Sequence, residues 1–573
     1  MSNYFGRLAR TAVHLQPGQV GQRARLRAQR AALHRLPGAG RWLLAGPDPA
    51  TASGWPDGFH PVDQRLGRPG GEAAELAEGR ITLLGVSRPL RPAGQAGWAT
   101  ADWAQSAEPL LWQFHLHYWD WAWALAAAPD RPAAREVFSA LWWSWRAAVV
   151  PGHGVPWHPY PAALRAWSCC GLHGALVAGT GIEEEFLAGL ATHTGFLRRH
   201  LERDVGGNHL IKNLKALAGL AVFFADESLL GHVLDRLAKQ LTVQVLADGG
   251  HYERAPAYHC QVLADLIDLT GLLHAAGQPP GPELPRAIRR MRGWLGVVLS
   301  PGGNVPLLND GFPVSRGLIA LLRPGPPPPG PLLVLPDTGL VRATAGGWTL
   351  LADVGVPCPA ELPAHAHADT LSCLLYVDGQ PLLVDTGTSS YTDGADRSQE
   401  RSTAAHNTVE VDGTDSTEVW GAFRAARRAR VHGMTATATA DEVHIEAAHD
   451  GYRALPGRPV HRRRWSLSGA GLRVDDEITG RGRRHRVVAR WHLPPGTRLR
   501  LATGGAVAST PAGDFAVRVT ASARPVITAD HGPVATGFGR RTQGPVLTCG
   551  IDAALPVRIR TTWARLSDPQ ETR

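Results

Sequence analysis

The sequence predicts an α+β multidomain protein, helical in its N-terminal half and an antiparallel β-sandwich after it. Residues 100–322 read as successive segments of helical apolar period separated by Gly and Pro turns. Residues 323–331, RPGPPPPGP, are too rich in proline for helix or central strand. Beyond them the texture changes to short alternating segments. A chain of 573 residues exceeds one ordinary core, and 44% apolar with 19% charged residues suits a soluble globular protein.

Residues 1–99 form a basic arm and lead-in. In GQRARLRAQRAALHRL, Leu26, Leu33 and Leu36 stand at helical spacing. Such an arm suits a membrane surface or nucleic acid, but a solvated helix packed on the main domain is the preferred reading. Helices are predicted over 132–150, 182–200, 208–225, 228–247, 257–276 and 284–299, and so many in succession make a bundle or an α/α toroid. The proline segment reads as a stiff linker. From 332 to 573, GWTLLADV, TLSCLLYV, HNTVEVDG, DEVHIEAA and GLRVDDEI alternate as strands, with turns at Asp378-Gly379 and Asp412-Gly413. No repeat of fixed period is evident.

Composition narrows the function classes. No apolar run is long enough to span a bilayer. The opening MSNYFGRLARTAVHLQPGQVG lacks an apolar stretch followed by a small-residue cleavage site, so a cytoplasmic location is expected. Six cysteines, with Cys169 and Cys170 adjacent, make neither a disulfide framework nor a CxxC metal pattern. The net charge of +9 and pI near 9.6 come from arginine, since lysine occurs only at Lys212, Lys215 and Lys239. A basic surface attracts nucleic acid, anionic lipid or acidic polysaccharide. A bias toward Arg, Ala, Gly and Pro explains most of the excess, and no nucleic-acid module is recognisable.

Four segments carry candidate chemistry. In HAHADTLSCLLYVDGQPLLVDTG (365–387), a strand beginning before Leu371 would set His365, His367 and Asp369 on one face, with a hairpin returning to Asp385. ERSTAAHNTVEVDG then supplies Arg401, His406 and Asn407. Two histidines and a carboxylate around an open position suit zinc; a hydrogen-bonded polar cluster is the alternative. In GGNHLIKNLKALAGLAVFFA (206–225), Asn208 sits where a helix N-cap belongs, and His209, Lys212 and Asn213 share one face of the first turns. In DGGHYERAPAYHCQVLADLIDL (248–269), Pro256 fits the first position of a helix. Tyr258 then falls in its first turn, where the dipole eases ionisation of a phenol; a satisfied core tyrosine is the alternative. Finally, eleven of nineteen tryptophans lie between Trp98 and Trp167. Most are core at this spacing, while Trp157, with His158 and Tyr160, is a candidate for stacking on sugar rings.

Together GGNHLIKN, DGGHYERAPAYH, HAHADTLSCLLYVDGQPLLVDTGT and RSTAAHNTVEVDG, in that order, resemble the heparinase II/III-like polysaccharide lyases, which include glycosaminoglycan and alginate lyases. The resemblance spans about residues 100–435. It implies an α/α toroid over 100–322, antiparallel sheets over 332–573, and β-elimination across a 4-linked uronic acid of an anionic polysaccharide. By resemblance Asn208 neutralises the uronate carboxylate, Tyr258 is the acid and for one epimer the base, and His209 or His365 is the base for the other. His367, Asp385 and His406 would bind a structural zinc, and no organic cofactor is implied. Arg401, Lys212, Asn213, Trp157, Glu253 and Arg254 are candidate substrate-binding residues. Some relatives carry an acidic partner within a turn of the histidine; here Lys212 and Asn213 occupy that turn. Relatives are often exported, which makes the periplasm, the envelope or secretion the alternative location. A non-catalytic polysaccharide-binding accessory of capsule synthesis is the alternative function. A glycoside hydrolase would need paired carboxylates, and Glu253 and Asp248 have no obvious partner. The sequence carries no signal for oligomeric state.

Overall fold

The computed structural model describes residues 2–66, 71–91 and 97–566; residues 1, 67–70, 92–96 and 567–573, the last of them part of the predicted β-domain, lie outside the described residues. The six long predicted helices are observed at Arg131–Ala148, Glu183–Arg199, Gly207–Phe223, Glu227–Gln244, Pro256–Ala275 and Glu283–Val298. Asp130 and Asp226 cap two of them by accepting the backbone N–H of Ala133 and Leu229. Pro256 opens its helix as predicted.

The helices alternate between two layers, an arrangement that agrees with the expected α/α toroid. Pro159–Leu172, Gly207–Phe223 and Pro256–Ala275 are buried on nearly every side. Glu227–Gln244 and Glu283–Val298 bury one stripe each and expose the rest. Gly207–Phe223 packs against four neighbours, the helices 159–172, 183–199, 227–244 and 256–275. The inner helices at 207 and 256 begin at the face that meets the β-domain, so their first turns carry the polar residues of the motifs.

Residues 323–331 form neither helix nor strand, and they are laid across the last long helix: Gly325 N–H donates to the Arg292 carbonyl. The sandwich that follows is antiparallel throughout. One layer is an eight-stranded sheet, in spatial order 431–438, 442–449, 460–468, 471–479, 557–565, 513–521, 505–510 and 498–502. A five-stranded sheet (332–335, 340–345, 348–353, 373–377, 380–383) and a four-stranded sheet (526–537, 540–554, 484–492, 409–411) form the other. Alternation fixes the facing residues. Leu472 and Val474 pack with the five-stranded sheet, and Ile478, on the same side of the strand, packs with the four-stranded one. The Asp378-Gly379 turn joins its strands with φ of 47° and 82°, as a two-residue hairpin requires.

The N-terminal arm is helical at Ser2–Ala12, Pro17–Arg35 and Pro37–Leu44. It packs on the main body as preferred, burying Leu26 and Leu33, whereas Leu36 is exposed. Among the described residues no helix is long and apolar enough to cross a membrane.

Candidate active site

The site lies on the seam between toroid and sandwich, and its centre is a residue absent from the sequence prediction. Asp310 sits in the turn Asn309-Asp310-Gly311, after the last long helix, and is fully buried. Its carboxylate accepts from both terminal nitrogens of Arg397 (2.5 and 2.9 Å), from His365 Nδ1 (2.8 Å) and from His367 Nε2 (2.9 Å). The toroid thus contributes the anion and the β-domain its donors. Of these Arg397 and His365 are cations, while burial lowers the pKa of His367 to about 3 and keeps it neutral. Burial opposes the charge of Asp310, but Arg397 and the two histidines hold its carboxyl well below the usual range.

His365 is gripped from its other side by Glu253, whose Oε2 lies 3.0 Å from His365 Nε2. Burial alone would neutralise this imidazole. The Glu253 charge, with the hydrogen bonds to Asp310 and Glu253, raises its pKa to about 9 instead. The reciprocal effect overcomes burial at Glu253 and lowers it to about 2. His365 is therefore an imidazolium at neutral pH. This corrects its assignment as a base, because a doubly bonded cation has no lone pair to offer.

Tyr258 stacks on His365 with ring centroids 3.9 Å apart, and its hydroxyl lies 2.7 Å from that of Tyr391. The Arg397 guanidinium lies over the Tyr391 ring at 4.9 Å. Tyr258 does occupy the first helical turn, yet its phenol is harder to ionise, not easier. Burial and the Asp310 charge raise its pKa beyond what Tyr391 and Arg397 lower. The hydroxyl rests protonated.

On the facing helix Gly206 (φ 72°), not Asn208, occupies the cap position, and Asn208 is the second helical residue. Its N–H donates to Glu253 Oε1 (2.7 Å), and its Nδ2 donates to both Glu253 oxygens (3.2 and 2.9 Å). The preceding Gly207 makes this approach possible: a Cβ there would stand 1.8 Å from Glu253 Oε1. Asn208 as a free donor to substrate is therefore corrected. Its hydrogens are committed to Glu253, and the buried Oδ1 is the atom left without a partner.

His209 is partly exposed, and its Nδ1 lies 2.9 Å from Glu202 Oε1. Glu202 is buried; despite that burial, His209, His158 and the Asn213 amide lower its pKa. An ionised carboxylate accepts only, so Nδ1 carries the hydrogen and Nε2 remains for chemistry. The acidic partner missing from the first helical turn is supplied from seven residues upstream. Tyr160 lies against His209, with ring centroids 4.2 Å apart.

Several predicted substrate contacts are structural instead. Trp157 is buried in the toroid, stacked on His193 and flanked by the Arg165 guanidinium. Arg401 is 1% exposed and spends its guanidinium on the carbonyls of Ala366, Gly421 and Arg424. Arg254 ties the domains together through the carbonyls of Thr338 and Asp337 (2.5 and 2.8 Å). Asn213 donates to Glu202 and accepts its N–H. Lys212 is paired with Asp265 at 2.7 Å. Glu253, as above, positions Asn208 and His365 rather than meeting substrate.

The metal candidates form a neighbouring cluster. The strand begins only at Cys373, so His365, His367 and Asp369 do not share a strand face: residues 364–372 are turns and irregular backbone. His406 Nδ1 bonds Asp385 Oδ2 at 2.8 Å, and the His367 and His406 ring centroids lie 5.3 Å apart. Among the described residues no three such side chains converge as a metal site. His367 Nδ1, His406 Nε2 and both Asp369 oxygens are nevertheless buried without partners.

Two family models match this chain: heparinase II/III N-terminus over residues 97–321 and heparinase II/III-like, C-terminal, over 327–554. The chain belongs to the heparinase II/III family of polysaccharide lyases. No curated protein sequence matches it significantly. Solved structures share its fold. A heparinase III matches with TM-score 0.75 at 16% identity, covering 90% of this chain and 87% of the other. A heparan sulfate lyase from Pedobacter heparinus gives 0.59 at 14%, covering 96% and 89%. The chondroitin AC lyase of Streptomyces coelicolor A3, in complex with chondroitin sulphate, gives 0.55 at 14%, covering 95% and 83%.

Proposed function

We propose that the protein cleaves a 4-linked, uronic-acid-containing glycosaminoglycan by β-elimination, leaving unsaturated products. The observation that carries this is a protonated, buried phenol, Tyr258, stacked on an imidazolium, His365, with an oriented histidine, His209, on the facing helix. Binding alone has no use for that set. Elimination needs each member. The C5 proton is a poor acid beside an ionised carboxylate, because its removal adds further negative charge. The His365 imidazolium offsets that charge.

His209 Nε2 takes the C5 proton, leaving its electron pair on C5 delocalised into the carboxyl group as an enolate; that pair then becomes the C4–C5 double bond. The C4–O4 bond breaks, and the leaving oxygen takes the Tyr258 phenolic proton. Tyr391, hydrogen-bonded to Tyr258, is the route by which that proton is restored. A glycosaminoglycan is preferred to alginate because the structural relatives are named for heparan and chondroitin substrates.

His367, Asp385 and His406 would hold a structural zinc. Its support is the donor chemistry and the two buried imidazole nitrogens without partners. Zinc there would fix the Asp385–His406 edge beneath the cleft.

Tyr258→Phe incubated with heparan sulfate in deuterium oxide tests the division of labour. Deuterium entering C5 without chain cleavage is expected. Loss of exchange together with cleavage would make Tyr258 the base and overturn the assignment.

A further inference from the structure

The N-terminal helices are not used by this site, and the family's N-terminal model begins only at residue 97. Yet the helix Pro17–Arg35 runs beside the loops that carry cleft residues. Gln19 Nε2 donates to the carbonyls of Asp204 (3.0 Å) and Glu361 (3.4 Å), and Gln22 Nε2 to that of Leu201 (3.1 Å). Residues 201–204 include Glu202 and lead into the Asn208–His209 turn, and Glu361 shortly precedes His365. At the helix's other end His34 meets His153 edge-on, ring centroids 4.1 Å apart, on the loop that leads to His158.

Burial of Gln19, Leu26 and Leu33, seven residues apart, fixes how the helix is turned. Arg23, Arg27, Arg30 and His34 then share one flank, and all four are exposed. At the helical rise the stripe is about 16 Å long. Arg23 lies 3.5 Å from the Asp204 carboxylate, whereas Arg27 and Arg30 have no carboxylate partner among the described residues. The Arg23–Asp204 pair sets this flank of the helix beside the loop that carries Glu202.

We infer that this stripe is an outer rim of the cleft, binding the carboxylate or sulfate groups of an anionic polysaccharide as it runs out of the catalytic site. The inference rests on the lyase reading and adds to it a subsite away from the scissile bond. Guanidinium forks match such oxyanions, and a one-signed rim concentrates a polyanion. Of the helix's large apolar residues Leu26 and Leu33 are buried against the protein and Val20 alone is exposed, too small a face to insert into a bilayer.

The test uses the full chain, heparan sulfate as the probe, and Arg27→Ala/Arg30→Ala beside Arg286→Ala/Arg289→Ala, which removes equal charge from an outer helix. Two exposed charges predict about tenfold weaker binding at low salt and a matching rise in KM, with the loss falling on KM rather than kcat. The difference from wild type should shrink as salt rises. Equal binding by wild type and the Arg27/Arg30 variant, or an equal loss in the outer-helix variant, would overturn the rim. Turnover with unchanged KM removes the rim and leaves the lyase reading. Binding lost in the variant, in a protein without turnover, keeps the rim and removes the lyase reading. Tighter binding of duplex DNA or anionic vesicles through the same two arginines assigns the stripe to another partner and overturns the inference.

Discussion

Replacing Glu253 by glutamine tests the electrostatic design at its most exposed assumption. His365 is held between Glu253 Oε2 at 3.0 Å and Asp310 Oδ2 at 2.8 Å, and these carboxylates raise its pKa to about 9 against burial. An opposite charge at such a distance shifts a titration by about 1–3 units. Removing it should therefore bring His365 to roughly 6–8, a change of about 1.4–4 kcal/mol between its charged and neutral forms. Hydrogen placement pushes the same way. The glutamine oxygen is needed by the Asn208 N–H, which turns the amide hydrogens toward His365 Nε2 and favours the neutral ring. The assay is the initial rate of unsaturated product formation across the neutral and alkaline range. The wild type should lose activity near pH 9 as the imidazolium deprotonates, and the variant about 1–3 units lower. An alkaline limb that stays in place in the variant would refute His365 as the working cation.

Asp310→Asn should be costly for a different reason. It leaves the buried Arg397 guanidinium without its counter-charge, and breaking a buried pair costs about 3–5 kcal/mol; an unchanged denaturant midpoint would contradict this. The Glu253–His365 pair also sets a pH window for stability. His365, raised to about 9, stabilises the fold fully below its unfolded value near 6.5 and ceases to as pH rises through 9. Glu253, lowered to about 2, stabilises it above 4.5 and ceases to as pH falls through 2. Thermal melts across pH should show both limbs, the alkaline one absent in His365→Ala. Metal analysis of the purified protein should find about one zinc per chain, lost in His367→Ala; a metal-free and equally stable wild type would return the cluster to a hydrogen-bonded role.

The architecture was legible because period is a local property. The 3.6-residue pattern located six long helices to within about three residues, though not the inner helix Pro159–Leu172, and the Asp-Gly turns marked tight reversals. The motif residues were legible as well: Asn208, His209, Tyr258 and His365 do line one seam. Their chemistry was not, because charge states depend on partners from distant segments. Asp310 reaches His365 across 55 residues and Arg397 across 87. Its only local mark was a rare asparagine, Asn309, in an Asn-Asp-Gly turn. Glu202 lies upstream of the helix it serves, and Tyr391 lies between the last two quoted motifs in a loop with no period to read. The substrate candidates failed for one shared reason. Arginine and tryptophan look like ligands in a sequence, but here the interior satisfies them, with carbonyls around Arg401 and the Arg165 and His193 side chains around Trp157.

The central claim is elimination, and ultraviolet absorbance of its unsaturated product tests it most directly. Heparan sulfate, hyaluronan, chondroitin sulfate, alginate and polyglucuronate would each be incubated with the protein. The account predicts a rise in absorbance with at least one glycosaminoglycan, abolished in Tyr258→Phe. New reducing ends without any rise would mean hydrolysis and contradict it.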